Sequence, residues 1–109
     1  ENNRLVTDLI AVSGVGGGGS SVATTAVVTT VASVMTSAQL LAANTNRVEA
    51  IITNDSTAVL YVKLGTAVTS TDYTISLGAG ESLIVDKYNG VIHGTWASVN
   101  GNARLTETT

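Results

Sequence analysis

The stretch RVEAIITNDSTAVLYVKLG, residues 47–65, holds the pattern on which the fold turns. Ala58, Leu60, Val62 and Leu64 fall on one side of an extended chain, and Thr57, Val59, Tyr61 and Lys63 fall on the other. That two-residue period is the mark of a strand with one covered face. Upstream, Val48, Ala50 and Ile52 oppose Arg47, Glu49, Ile51 and Thr53 in the same way. Between the two lies Asn54-Asp55-Ser56, a turn signal, because Asx side chains bond the nearby backbone. The reading is two strands, Arg47–Asn54 and Ala58–Leu64, the second launched from the Asx turn and closed by Gly65 as a hairpin-like edge of fixed register.

Working outward, the same vocabulary of Thr, Val, Ala, Ser and Ile runs from Thr24 to the end. These small and β-branched residues suit a pleated surface, and the branched ones lose side-chain freedom in a helix. Further strands are expected at Ala26–Val34, Gln39–Leu41, Tyr73–Leu77, Ser82–Asp86, Val91–Trp96 and Ala103–Glu107. Their spacing of roughly 8–12 residues, with turn residues between, is that of a sandwich or barrel. No helical period long enough for a parallel crossover intervenes. The fold class is therefore all-β: an antiparallel, jelly-roll-like sandwich over residues 24–109. Its expected interior is Val48, Ile52, Leu60, Val62, Leu64, Ile75, Leu77, Val85, Ile92 and Trp96. Tyr73 reads as a second core-sized plug in a chain without Phe, and Gly94 as room for a neighbouring ring or backbone.

The first 23 residues read differently. Ser13–Ser21, SGVGGGGSS, has too little side chain to hold one conformation alone and reads as a flexible Gly-rich arm. Ahead of it Leu5, Val6, Leu9, Ile10 and Val12 form an apolar set too short to be a stable helix by itself, so it is expected to dock on something. Several outward strand positions are also apolar, namely Ile51, Val59, Tyr61, Ile84 and Val91. With the arm set they make up the expected attachment and self-association surface, on the argument that a short chain without disulfides gains most from oligomerising. A trimer is the expected form.

Composition narrows function by exclusion. The 109 residues are 44% hydrophobic and only 12% charged, which supports a packed domain over solvated disorder. Five Lys/Arg against eight Asp/Glu leave a net charge of −3, the wrong sign for a nucleic-acid or anionic-membrane partner. No apolar run approaches the ~18 residues of a membrane span, and no charged leader precedes an apolar stretch, so a soluble chain is expected. Without cysteine there is neither a disulfide nor a thiolate metal site. His93 is the only histidine and reads as an ordinary surface or interface residue. No serine sits in a nucleophile elbow, Gly14–Gly19 lacks the Lys-Ser/Thr ending of a phosphate loop, and no acidic spacing suits calcium. The expectation is no catalytic residue, no cofactor and no metal. Exposed aromatics could stack on a glycan, but Tyr61, Tyr73, Tyr88 and Trp96 are the whole supply. Arg104 is expected to pair with Glu49 or Glu107.

From about Thr30 onward the chain resembles a small β-domain of structural proteins of tailed bacteriophages. The resemblance rests on LLAAN (40–44), NDSTAVLYVKLG (54–65), YTISL (73–77), YNGVIHGTW (88–96) and GNARLTE (101–107) taken together. It implies a non-enzymatic virion component, either a capsid decoration (cement) protein at the capsid surface or a module of a head or tail fibre or neck, with possible host-receptor or glycan binding. The implied partners are further copies of the chain and the major capsid protein or another virion protein. No site residue is carried over, and the first 25 residues lie outside the match, as suits an attachment arm.

Overall fold

A computed structural model describes residues 22–109. The arm residues Leu5, Val6, Leu9, Ile10 and Val12 lie outside the described residues. Eight strands follow in order: β1 Ala26–Ala32, β2 Ala38–Leu41, β3 Glu49–Asp55, β4 Leu60–Leu64, β5 Ile75–Leu77, β6 Ser82–Asp86, β7 Ile92–Trp96 and β8 Asn102–Thr108. Each expected strand is present, with ends shifted by up to two residues.

The strands form two antiparallel sheets, ordered β1-β8-β3-β6 and β2-β7-β4-β5. The pairing is nested: β1 with β8, β2 with β7, β3 with β6, and β4 with β5. Two further pairs, β3 with β8 and β4 with β7, close each sheet. This is a long hairpin wrapped into two layers, the jelly-roll sandwich. Only β4 and β5 are both consecutive and paired, so every other connection passes between sheets. The segment after Asn54 is one of these crossings, from β3 in one sheet to β4 in the other, and corrects the hairpin-like reading.

Alternation places the core between the layers. Ala50, Ile52, Leu60, Val62, Ile92, Ala103 and Leu105 are fully buried, and Leu77, Val85 and Trp96 nearly so. Burying a Leu or Ile side chain contributes about 1.5–3 kcal/mol. Val48, Leu64 and Ile75 are only half-buried at the rim, whereas Leu40, Leu41, Ala103 and Leu105 belong to the interior that the expected set omits. A Cβ on Gly94 would stand 2.8 Å from Leu40 Cδ1 and 3.0 Å from Leu60 Cδ1. The space that glycine leaves is thus filled by leucine methyls from the strands around it.

Arg47 is the largest departure from the alternation. Expected on an outward face, it precedes β3 and its side chain has no exposed surface. Nε donates to Glu107 Oε2 at 2.8 Å, Nη2 to the Ala42 carbonyl at 2.6 Å, and Nη1 to the Gly90 carbonyl at 2.9 Å. The guanidinium fork ties β8 to two inter-sheet connections at one end of the sandwich. Arg104 stands on the opposite face of β8 from Glu107 and pairs instead with Asp55, its Nη2 2.9 Å from Oδ2 on the exposed surface. Period-two reasoning fails at Arg47 because the residue lies before the regular ladder begins.

Candidate functional site

The register lines up outward residues in rows across the first sheet, because directly opposed residues share a face. One row is Ala26, Thr108, Glu49 and Asp86; the next is Val28, Thr106, Ile51 and Ile84; a third is Thr30, Arg104, Thr53 and Ser82. The middle row is aliphatic at three of its four positions, with Thr106 between Val28 and Ile51, and the rows on either side are mostly polar. Ile51 and Ile84 are direct partners, and both Val28 and Ile84 are 62% exposed.

The second sheet treats its outward face differently. His93 and Lys63 are cross-strand partners, as are Thr95 and Tyr61, and the β4–β5 connection lies against them. Val68, in that connection, is buried, and its N–H donates to Ser37 Oγ at 3.1 Å. Lys63 Nζ reaches Asp72 Oδ2 at 2.7 Å. Tyr73, expected inside, is exposed and packs its ring on Tyr61 with centroids 5.0 Å apart. Its position just before the short β5 lets the ring swing outward onto the β4 face. A groove of about 690 Å³ runs beside this roof, lined by Met35, Ser37, Tyr61, Val68, Thr95 and Trp96 among others. The Trp96 indole Nε1–H is buried without a hydrogen-bond partner among the described residues.

Ser37 Oγ lies 2.8 Å from His93 Nδ1, the one hydroxyl–imidazole contact among the described residues. Ser37 Oγ also accepts the Val68 N–H, so a single hydroxyl bridges the His93 ring and the β4–β5 connection. A hydrolytic site also needs a group that orients the base and donors for a developing oxyanion. Among the described residues no carboxylate hydrogen bonds to His93, and no three His, Cys, Asp or Glu side chains gather to hold a metal ion. The pair instead pins the loop roof to the strand face. No described helix is long and apolar enough to cross a membrane.

Asn54, expected as the last residue of its strand and the first of a turn, lies within β3 and has no exposed surface. Its Nδ2 donates to the carbonyls of Ala58 at 2.7 Å and Leu77 at 2.9 Å, with Gly78 at 3.1 Å, and its Oδ1 accepts from Ser56 Oγ at 2.6 Å. It joins two inter-sheet connections at the end opposite Arg47. Beside it Gly101 adopts φ +66, and a Cβ there would collide with the Asp55 carbonyl, so glycine is required by both backbone and space. Asx residues in a sequence signal turns, and the burial of this one arises only from the packing of two connections on it.

The expected surface residues thus divide. Ile51 and Ile84 sit together on the first sheet; Tyr61 lies on the second, with Val59 just ahead of β4 and Val91 just ahead of β7. Val91 is half-buried, its carbonyl accepting the Tyr88 hydroxyl at 2.8 Å. Val28 completes the row, and nothing in the sequence signals it because AVVTTVA has no apolar–polar alternation to separate its faces. Comparison with models of protein families, with curated proteins and with solved structures yields no match.

Proposed function

We propose that the chain is a non-enzymatic, self-associating structural protein of a tailed-bacteriophage virion, a capsid decoration protein that binds the head shell through its β-domain and N-terminal arm. The observation that carries this reading is the outward row Val28, Thr106, Ile51 and Ile84 on the first sheet, whose end members Val28 and Ile84 are each 62% exposed. Exposed aliphatic side chains on an outward row rimmed by polar rows are what a protein-binding face presents. The jelly-roll frame suits such a role, and the segments that carry the phage resemblance include β4, β5, β7 and most of β8 with turns beside them. The polar groups that do converge, Arg47 with Glu107 and Asn54 with three carbonyls, are engaged in holding connections.

The test is to add the purified chain to undecorated heads of its own phage and measure co-sedimentation. Binding is expected to saturate, and Ile84→Lys to weaken it at least tenfold with an unchanged melting temperature, since Ile84 is an exposed side chain. Absence of binding by the natural chain would remove the capsid reading. A fibre or neck module with a glycan ligand is the second reading, favoured by the exposed Tyr73 ring against Tyr61. It predicts glycan binding lost on Tyr73→Ala and no affinity for heads.

A further inference from the structure

Among the described residues the two sheets have four edges, and three of them are blunted. β2 has four residues and a register shift between Gln39 and Leu41. β5 has three residues. β6 carries Asp86 and is bracketed by Glu81 and Lys87. The fourth edge, β1, is seven residues long, AVVTTVA, with no charge, no proline and an unbroken register against β8. Six of its seven residues are exposed. Long uncharged edges offer unpaired N–H and C=O groups to another strand, which is why proteins usually shorten, bend or charge them.

The hydrogen bonds settle which amides the edge presents. Thr25 and Thr109 exchange both backbone bonds, at 3.1 and 2.8 Å, and Ser33 N–H donates to the Gly101 carbonyl at 3.1 Å. With constant register between them, Thr25, Val27, Thr29, Val31 and Ser33 direct their backbone groups at β8. Ala26, Val28, Thr30 and Ala32 therefore present theirs to the side away from β8, where no described strand lies.

From this we infer that β1 pairs antiparallel with β1 of a second copy across a two-fold axis at Thr29, fusing two four-stranded sheets into one of eight. Residues with outward amides have to face each other, which forbids an axis between residues. An axis at Thr29 sets Ala26 opposite Ala32 and Val28 opposite Thr30 of the second copy as hydrogen-bonded pairs. Val27 then faces Val31, and Thr29 faces itself, as the closer non-hydrogen-bonded pairs. An axis at Val28 or Thr30 satisfies the amides too but leaves two residues of the strand unpaired. The sequence is nearly palindromic about Thr29, so every cross-strand pair is Ala–Ala, Val–Val, Thr–Thr or Val–Thr. Self-pairing about a two-fold sets no like charges opposite, because the strand has none. Val27 is 54% exposed although it shares a face with the buried Ala50 and Val85, and Val31 of the second copy would cover it. Seven residues a side fall well short of the ~20–30 of a standard interface, so the dimer forms as concentration rises.

The inference rests on the self-association part of the proposed function and not on the virion role. The full chain has no cysteine, so Thr29→Cys introduces the only thiol. Across the axis its Cα lies about 4.5 Å from its counterpart, within the ~4.4–6.8 Å of a disulfide. Oxidation is expected to give a covalent dimer on a non-reducing gel. Val28→Cys and Thr30→Cys are expected to stay uncrosslinked, because each meets its own counterpart only on the diagonal at about 7–8 Å. Thr30→Pro removes an outward N–H without touching the β8 ladder, and is expected to raise the dimerisation midpoint at least tenfold in sedimentation while the monomer still melts cooperatively. Equal crosslinking at all three positions would overturn the register. If Thr29→Cys does not crosslink while the chain still associates, or forms a trimer, the edge is overturned and self-association stands on another surface. A chain monomeric at every concentration removes both.

Discussion

The two ends of the sandwich are closed by side chains from either end of one strand, and they are closed in different ways. Ahead of β3, Arg47 brings a charge into the interior and satisfies it with Glu107 and the carbonyls of Ala42 and Gly90. Near the end of β3, Asn54 does the same work for the opposite connections with a neutral amide. The need is common to both. Chain that crosses between sheets leaves the ladder, and its buried carbonyls then need a donor from elsewhere. A charged donor makes stronger hydrogen bonds, but its loss also strands the carboxylate it faced. A neutral donor engages less strongly and leaves only carbonyls behind.

Breaking the charged end is expected to have the largest effect. Arg47→Ala leaves Glu107 without its partner, and should cost about 3–5 kcal/mol, read from the midpoint of urea unfolding. Arg47→Lys should recover only part of this, because a single ammonium cannot reproduce a planar fork aimed in three directions. If Arg47→Ala proves nearly neutral, the buried fork is not what closes that end.

At the neutral end, Asn54→Ala is expected to cost about 2–3 kcal/mol, from carbonyls of Ala58 and Leu77 left without a donor. Asn54→Asp sharpens the contrast, since an ionised carboxylate can only accept and would face carbonyl oxygens. It should destabilise at least as much as alanine at neutral pH. A milder effect than alanine would mean that the amide's donor role has been misread.

The smallest effect belongs to the ion pair on the surface beside Asn54. Arg104 and Asp55 are each more than half exposed, so Arg104→Ala should shift stability by no more than about 0.5 kcal/mol. Raising salt to 1 M should erase even that, while the contribution of the enclosed Arg47 fork persists. An equal salt response of the two would argue that the burial of Arg47 has no energetic consequence.

These features were unequally legible from the amino-acid order. Strict alternation in Ala58–Leu64 announces a strand and its inner face, and Leu60 and Val62 are buried as that period requires. Arg47 and Asn54 defeat the same logic. Polar residues flanking an alternating run look like solvent-facing ends, and only the return of distant connections, Tyr88–Gly90 on one and Leu77–Gly78 on the other, encloses them. Tyr73 fails for the opposite reason. Its size suggests the core, but a three-residue β5 gives it a place on the outer face against Tyr61. The candidate surface is legible in its parts, since Ile51 and Ile84 stand out as apolar residues on polar faces. Their union with Val28 needs a register that spans residues far apart in the chain.

Local chemistry settles that this chain makes strands, where they begin and end to within two residues, and which side of the central ones is wet. Those properties depend on neighbours two positions apart and on turn residues, all contiguous in the chain. Which strands pair is another matter. The nested order, the partners of Arg47, Asn54 and Arg104, and the open edge of β1 depend on contacts between segments dozens of residues apart. They are chosen jointly by burial, amide pairing and the geometry of the two layers, so only the assembled fold decides them.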